Sequence, residues 1–239
     1  MRKKIDLYSD HIGFVEYVSH MGSDVTIVNS ARVSFGKHVS NLDQRDIKLI
    51  KYLIKHKHTS TFEHNVITFR FKVPLFTRSQ HHRHRTWSYN EISRRYTDFN
   101  LEFYEPSRFR KQSDSNRQAS TNDYINPIFP AAKGITNIHY IASKRVKSFH
   151  KEALELYNNL IEHGVCREQA RGILPQNLYT EYYGTVNLNN LFKFIDLRTH
   201  DGAQWEIQQV AKACLGITKD LFPETVKAYT EVKNDNKNS

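Results

Sequence analysis

The densest grouping of reactive side chains in the chain lies between Arg78 and Tyr96. Five arginines (Arg78, Arg83, Arg85, Arg94, Arg95), three histidines (His81, His82, His84) and one carboxylate, Glu91, fall within 19 residues. Guanidinium groups are planar forks of donors, so a cluster of them suits bidentate binding of phosphate. Backbone N–H groups near Ser93 add donors, and Glu91 amid these cations can accept from ribose hydroxyls or from arginine. A run of charge is by itself more often a solvated face. Here Trp87, Tyr89, Asn90 and Tyr96 are interleaved with the charges. A solvated face does not need aromatic rings, whereas a nucleotide pocket does.

Other chemistries fit less well. His81, His82 and His84, with His56, His58 and His64, could supply imidazoles to a metal. There is no His-Glu-x-x-His and no CxxC, and the flanking arginines repel a divalent cation, so no metal site is expected. The separate His58…Glu63-His64 group reads on its own as turn and cap chemistry. Cys214 falls on an apolar helical stripe and Cys166 begins a short helix; both read as small buried hydrophobes. Ser93 has no His–Asp relay and reads as a phosphate or ribose ligand rather than a nucleophile.

The elements that must position these residues follow from periodicity. Residues 41 to 57 read as a helix capped by Asn41 or Asp43, with Ile47, Ile50, Leu53 and Ile54 on one face. Ile67, Phe69, Phe71 and Val73 alternate with Thr68, Arg70 and Lys72, which predicts a strand with one buried face, ended by Pro74. Leu101 to Tyr104 reads as a further strand. Residues 105 to 138 read mostly as a binding loop, because an idle loop of that length is rare in a compact domain. Phe149, Ala153, Tyr157, Leu160 and Ile161 form a helical stripe between about 139 and 163, stopped by Gly164. A short helix around 167–171, a strand at 179–186 and a helix from Leu188 follow, with Arg198 just past that helix's end. Ile207, Val210, Ala211, Cys214, Ile217 and Leu221 mark a last helix, closed by Pro223. Mixed order without strict βαβ alternation predicts an α+β fold, a central, largely antiparallel sheet flanked by helices.

Length and composition bound the class. The 239 residues suit a single domain, expected over 1–230 with a polar, disordered tail at 231–239. With 13 Tyr and 14 Phe, whole-chain disorder is excluded. The net charge of +10 attracts anions: nucleic acid, acidic lipid or phosphorylated small molecules. Two cysteines without metal or disulfide spacing predict a reducing, cytoplasmic setting. No apolar run approaches membrane-spanning length, and the Met1-Arg-Lys-Lys start leads into no signal-type stretch, so a soluble, unprocessed protein without a membrane partner is expected.

Arg83-His84-Arg85, seven residues, then Ser93 resembles the signature of the flavin-dependent thymidylate synthases. His58-Thr-Ser-Thr-Phe-Glu63-His64 resembles the family's His-x-Ser-x-Phe-Glu-His turn. The stretch Arg110 to Ser120 is similar to its Arg-x-Gln-x-x-x-Asn-x-Gln-x-Ser loop. Gln169-Ala-Arg171, Leu174-Pro175, Asn187, Leu197-Arg198 and Ala203 to Ile207 match its later blocks in order. Together these span roughly residues 10 to 225, too much for a chance hit on a short pattern.

The resemblance implies a homotetramer on an α/β fold, with sites shared between subunits. It implies reductive methylation of deoxyuridine monophosphate (dUMP) to dTMP, with methylenetetrahydrofolate as carbon donor and NADPH-reduced FAD as hydride donor. Ser60, Arg83, His84, Arg85, Asn90, Glu91, Asn187 and Lys193 occupy flavin-binding positions. Gln80, Arg83, Glu91, Ser93, Arg94, Arg95, Arg171 and Arg198 occupy substrate positions, with Ser93 to Arg95 and Arg171 around the phosphate. Arg198 matches the residue set against the uracil ring, where a fixed cation stabilises developing negative charge. The family often has Asn at Lys193 and His at Gly202, with His200 two residues earlier. Its Arg-Gln pair before the signature is here Arg78-Ser79-Gln80, displacing the arginine by one position. With neither cysteine suited to attack the base, the cofactor must carry the hard chemistry. All these ligands are anions, which accounts for the +10 charge without nucleic acid. Two rivals are a nucleic-acid-binding module, resting on arginines interleaved with aromatics, and a relative that binds flavin without turnover.

Overall fold

The computed structural model describes residues 3–131 and 137–237. The chain begins with β1 (Lys4–Asp6), β2 (Phe14–Met21), α1 (Asp24–Arg32), α2 (Gln44–Lys55), α3 (Ser60–Glu63), β3 (Val66–Pro74), α4 (Leu75–His81) and β4 (Ser88–Glu91). Two small hairpins follow, β5 (Phe109–Gln112) with β6 (Ser120–Ile125), and β7 (Ile128–Pro130) with β8 (His139–Ile141). The remainder is α5 (Ala142–Glu162), α6 (Arg167–Ala170), β9 (Tyr179–Asn187), α7 (Leu188–Arg198), α8 (Trp205–Leu221) and α9 (Pro223–Lys237).

One sheet organises the molecule, in the order β1-β2-β3-β9-β4 with every neighbouring pair antiparallel. This is the expected α+β arrangement. The period-two pattern of β3 puts Ile67, Phe69, Phe71 and Val73 fully into the core. The same alternation on β9 buries Thr180, Tyr182, Gly184 and Val186. At Gly184 a Cβ would stand 2.8 Å from a Phe71 ring carbon and 3.2 Å from Trp87. Glycine is needed there for the rings to lie against the strand. Helices α7 and α8 carry apolar stripes onto this layer, with Leu188, Leu191, Ile207, Val210 and Cys214 completely buried. A smaller cluster of Tyr157, Ala170, Leu174 and Leu178 joins α5 and α6 to the far end of β9.

Local signals explain most boundaries. Asp43, not Asn41, caps α2, its side chain accepting from the backbone N–H groups of Arg45 and Asp46. Gly164, at φ +85°, takes the left-handed turn that stops α5. Several expectations are corrected. Pro223 does not end the helical region: it opens α9, because proline suits the first helical turn, where its missing N–H costs nothing. The segment from 231, read as a tail, continues α9 to Lys237, while residues 238–239 lie outside the described residues. Leu101 to Tyr104 forms only an isolated bridge, Phe103 to Leu178. The 105–138 stretch contains β5, β6 and β7, and its residues 132–136 lie outside the described residues. Phe149 is exposed; the buried face of α5 is Ala142, His150, Ala153 and Tyr157. Arg198 is the last residue of α7 rather than beyond it. Among the described residues no helix is long and apolar enough to cross a membrane.

Candidate functional site

Where β4 lies against β9, Glu91 pairs in register with Tyr182, which places Thr180 beside it on the buried face of β9. The Thr180 hydroxyl donates to Glu91 Oε1 at 2.7 Å. From α4, which crosses the end of β3, Arg78 Nε stands 3.2 Å from the same oxygen. These three residues line a cleft of about 510 Å³ together with Ser93, Arg94, Gln176 and Arg171. Three guanidinium groups therefore share this cleft with one carboxylate, and the excess of positive charge suits an anionic ligand. Arg94 is fixed by three backbone carbonyls, those of Phe99 at 2.6 Å, Asn100 at 3.3 Å and Tyr179 at 3.3 Å. Arg171 has no side-chain partner among the described residues and is exposed.

A second grouping surrounds the end of α7. Arg198 Nε donates to His84 Nε2 at 3.0 Å, and Nη2 donates to the Gln80 carbonyl at 3.1 Å. Burial and the Arg198 charge push the His84 imidazole from its ordinary 6.5 down to about 4. A neutral ring is what an acceptor for a guanidinium must be. The Gln80 amide in turn donates to Gln204, which donates to Glu206 at 2.9 Å. Glu206, buried on α8, also takes Arg110 Nη2 at 2.8 and 2.9 Å and the Tyr104 hydroxyl at 3.2 Å. The hairpin residue Arg110 is thus wired to the support of Arg198. Helix α4 joins the two groupings, carrying Arg78 into the cleft and, two residues on, the Gln80 carbonyl to Arg198.

Of the expected substrate residues, Glu91, Ser93, Arg94 and Arg171 meet in the cleft, and Gln80 meets Arg198. Arg95 is not in the cleft lining; it pairs with Glu168 on α6 at 3.3 Å. Arg83 and Arg85 are exposed, with no hydrogen-bond or ion-pair partner among the described residues. Asn90 is exposed on β4 and Ser60 is exposed at the start of α3. Asn187 Oδ1 accepts from the Asn190 N–H at 2.9 Å and so caps α7. Lys193, nearly two turns on, lines a largely apolar cavity of about 610 Å³ between α2, α7 and α9, with His58, Phe62 and Phe192. His200 Nδ1 accepts from the Gly202 N–H at 3.1 Å, so that ring nitrogen is committed to the turn.

The interleaved rings have a different origin from the one expected. Trp87 is buried against Phe69, Phe71 and Phe194 and belongs to the core, while Tyr96 is 81% exposed. His81 is fully buried, its Nδ1 2.8 Å from the Tyr182 hydroxyl, and burial holds its pKa well below the usual range. Cys214 is buried as expected and burial raises its thiol pKa, but Cys166 is exposed, its thiol 3.6 Å from Gln169 Oε1. A position at the start of a short surface helix does not bury a side chain. Arg78 was expected only as one of the phosphate-suited arginines of the basic stretch, with no substrate or flavin position given to it, and Thr180 was not among the expected site residues. The displaced arginine and the β9 alternation are the two signals that point to them.

The family model described as thymidylate synthase complementing protein matches residues 16–224. The chain is 43% identical over 219 residues to a flavin-dependent thymidylate synthase of Thermus thermophilus, covering 92% of this chain and 76% of that protein. It is 40% identical over 237 residues to another from Wolbachia pipientis, covering 96% of this chain and 80% of that one. Among solved structures it superposes on a UMP/dUMP methylase, PolB, from Streptomyces cacaoi bound with 5-Br dUMP. That match has a TM-score of 0.78 and 31% identity and covers 95% of this chain and 97% of the other.

Proposed function

The chain belongs to the thymidylate synthase complementing protein family, the flavin-dependent thymidylate synthases, and from that premise we propose that it converts dUMP to dTMP by reductive methylation. The observation that carries this reading is the cleft in which Glu91, Ser93 and Arg94 from one stretch of chain and Arg171 from another surround one space with net positive charge. A nucleotide monophosphate supplies the complementary groups: a dianion for the guanidinium forks and hydroxyls for a carboxylate.

Ser93, Arg94 and Arg171 take the phosphate, with Arg95 at the margin, and Glu91 accepts from the nucleoside. Arg198 faces the uracil ring. Its Nε and one terminal nitrogen are held by His84 and Gln80, and Nη1 has no hydrogen-bond partner among the described residues. A guanidinium held in place and partly buried stabilises charge developing on the base without reorganising at the moment of reaction. The residues present also fit FAD. Arg83 and Arg85 carry unpaired guanidinium groups for a diphosphate, and Lys193 borders an apolar cavity of about 610 Å³ suited to planar rings. Ser60, His84, Asn90, the free amide nitrogen of Asn187 and Glu91, shared with the nucleotide, complete the expected set. Bound FAD, reduced by NADPH, supplies the hydride that completes the methyl group brought by methylenetetrahydrofolate. Exposed Tyr124, Ile125, Ile128 and Phe129 on the hairpins support a homotetramer in which neighbouring copies cover that surface.

Purified protein is expected to be yellow with flavin absorption, and anaerobic NADPH to bleach it. Arg198→Ala is expected to retain flavin absorption but lose at least about 100-fold in dTMP formation, the scale of a removed oxyanion-type donor. Colourless protein that cannot be loaded with FAD would overturn the reading; unchanged turnover in R198A would overturn the role given to Arg198.

A further inference from the structure

Of the charged residues that line the cleft, Arg78 alone has no role assigned above, and it stands beside the cleft's carboxylate, Glu91. A carboxylate inside a phosphate-binding cleft is a liability. It repels the phosphate and competes with it for the arginines. Glu91 stands among Arg94 and Arg171, and Arg171 has no side-chain partner of its own among the described residues. An unrestrained Glu91 would pair with that open guanidinium. The structure shows a different arrangement. Glu91 Oε1 is taken by the Thr180 hydroxyl at 2.7 Å and by the Arg78 charge at 3.2 Å, while Oε2 has no hydrogen-bond partner among the described residues. Thr180 is 3% exposed, so this hold sits on the floor of the cleft. Arg78 comes from α4, the helix that also presents the Gln80 carbonyl to Arg198.

We propose that Arg78 is a positioning residue for the nucleotide site: with Thr180 it holds one oxygen of Glu91, which keeps the carboxylate off Arg171 and leaves its other oxygen to accept from the nucleoside. The inference rests on the dUMP reading of the cleft. It places Arg78 as acting through Glu91 rather than on the phosphate.

The test is a double-mutant cycle on the flavin-loaded enzyme, with dUMP affinity read by calorimetry and KM and kcat read by turnover. Arg78→Gln is expected to weaken dUMP binding by about tenfold and to raise KM more than it lowers kcat, and Arg78→Lys to recover most of the loss. In a Glu91→Gln background the same R78Q change is expected to cost less than about twofold, because the carboxylate it restrains is gone. An equal loss in both backgrounds would mean that Arg78 meets the nucleotide directly, and no loss in R78Q alone would mean that it does nothing there; either overturns the proposal. Flavin absorption and circular dichroism report folding. Should R78Q not fold, Thr180→Val removes the other hold on Oε1 without touching α4, and the same non-additivity with E91Q is expected. Wild-type enzyme that binds no dUMP would overturn the nucleotide reading itself, which distinguishes that failure from one confined to Arg78.

Discussion

Arg198 Nε donates to His84 Nε2, so His84 carries its proton on Nδ1 and is neutral. Burial and the adjacent guanidinium hold the ring at about 4 instead of 6.5. Between those values an unfolded chain takes up a proton that the folded one refuses, so stability falls as pH drops through the window from 6.5 to about 4. His84→Gln keeps an acceptor without a titrating ring. Its melting temperature is expected to fall less steeply than that of wild type across this window. Parallel curves would show that His84 contributes no such linkage. His81 and His82 are lowered in the same direction, also mainly by burial, and remain in both proteins, so the difference between the curves reports His84 together with its effect on neighbouring His81. The grouping of Glu91, Ser93 and Arg94 was legible from residue type and spacing, whereas Arg171, about 80 positions on, joined them only through the family resemblance. The burial of His81 and Trp87 was not, because a one-dimensional run of alternating rings and cations does not say which face meets the core.

Helix α9 owes its start to a residue about 200 positions away. Asp24, buried at the beginning of α1, accepts from the N–H groups of Glu224 at 3.1 Å and Thr225 at 3.0 Å and from the Thr225 hydroxyl. This is an N-cap supplied across the tertiary structure, with an acidic group at the positive end of the helix. Asp24→Ala is expected to destabilise the protein by about 2–3 kcal/mol, combining a lost cap with a buried threonine hydroxyl left unpaired. Denaturant titration reads that loss, and amide exchange should localise the opening to α9; uniform exchange along the chain would argue against a cap. Local capping, as Asp43 on α2, was readable because donor and acceptor are neighbours in sequence. A cap delivered from α1 leaves no local trace, and Pro223 alone looks like a stop.

At the scale of the whole molecule, a net charge of +10 gathers the anionic substrates of the proposed reaction, and the exposed rings of the two hairpins face outward. Four copies would cover those rings and bring sites together between subunits. Light scattering is expected to give about four times 28.1 kDa, and a monomer with full activity would refute the shared-site arrangement. Arg110, bound to buried Glu206, ties the first hairpin to α8 and through Gln204 to Gln80, so removal of that arm would be felt at Arg198.

The amino-acid sequence alone determined the class of fold, the strand over 67–73, the basic stretch and the family that the motifs resemble. The first three are set by periodicity and by side-chain chemistry at short spacing, and the family by a resemblance of motifs along the chain; none needs a third dimension. Tertiary structure decided which cations share a cleft with Glu91, that Arg78 and Thr180 grip one of its oxygens, and that Arg198 rests on a neutral His84. Each of those depends on strand register and helix packing between segments up to 114 residues apart, and proximity of that kind is produced only when the sheet and its covering helices close.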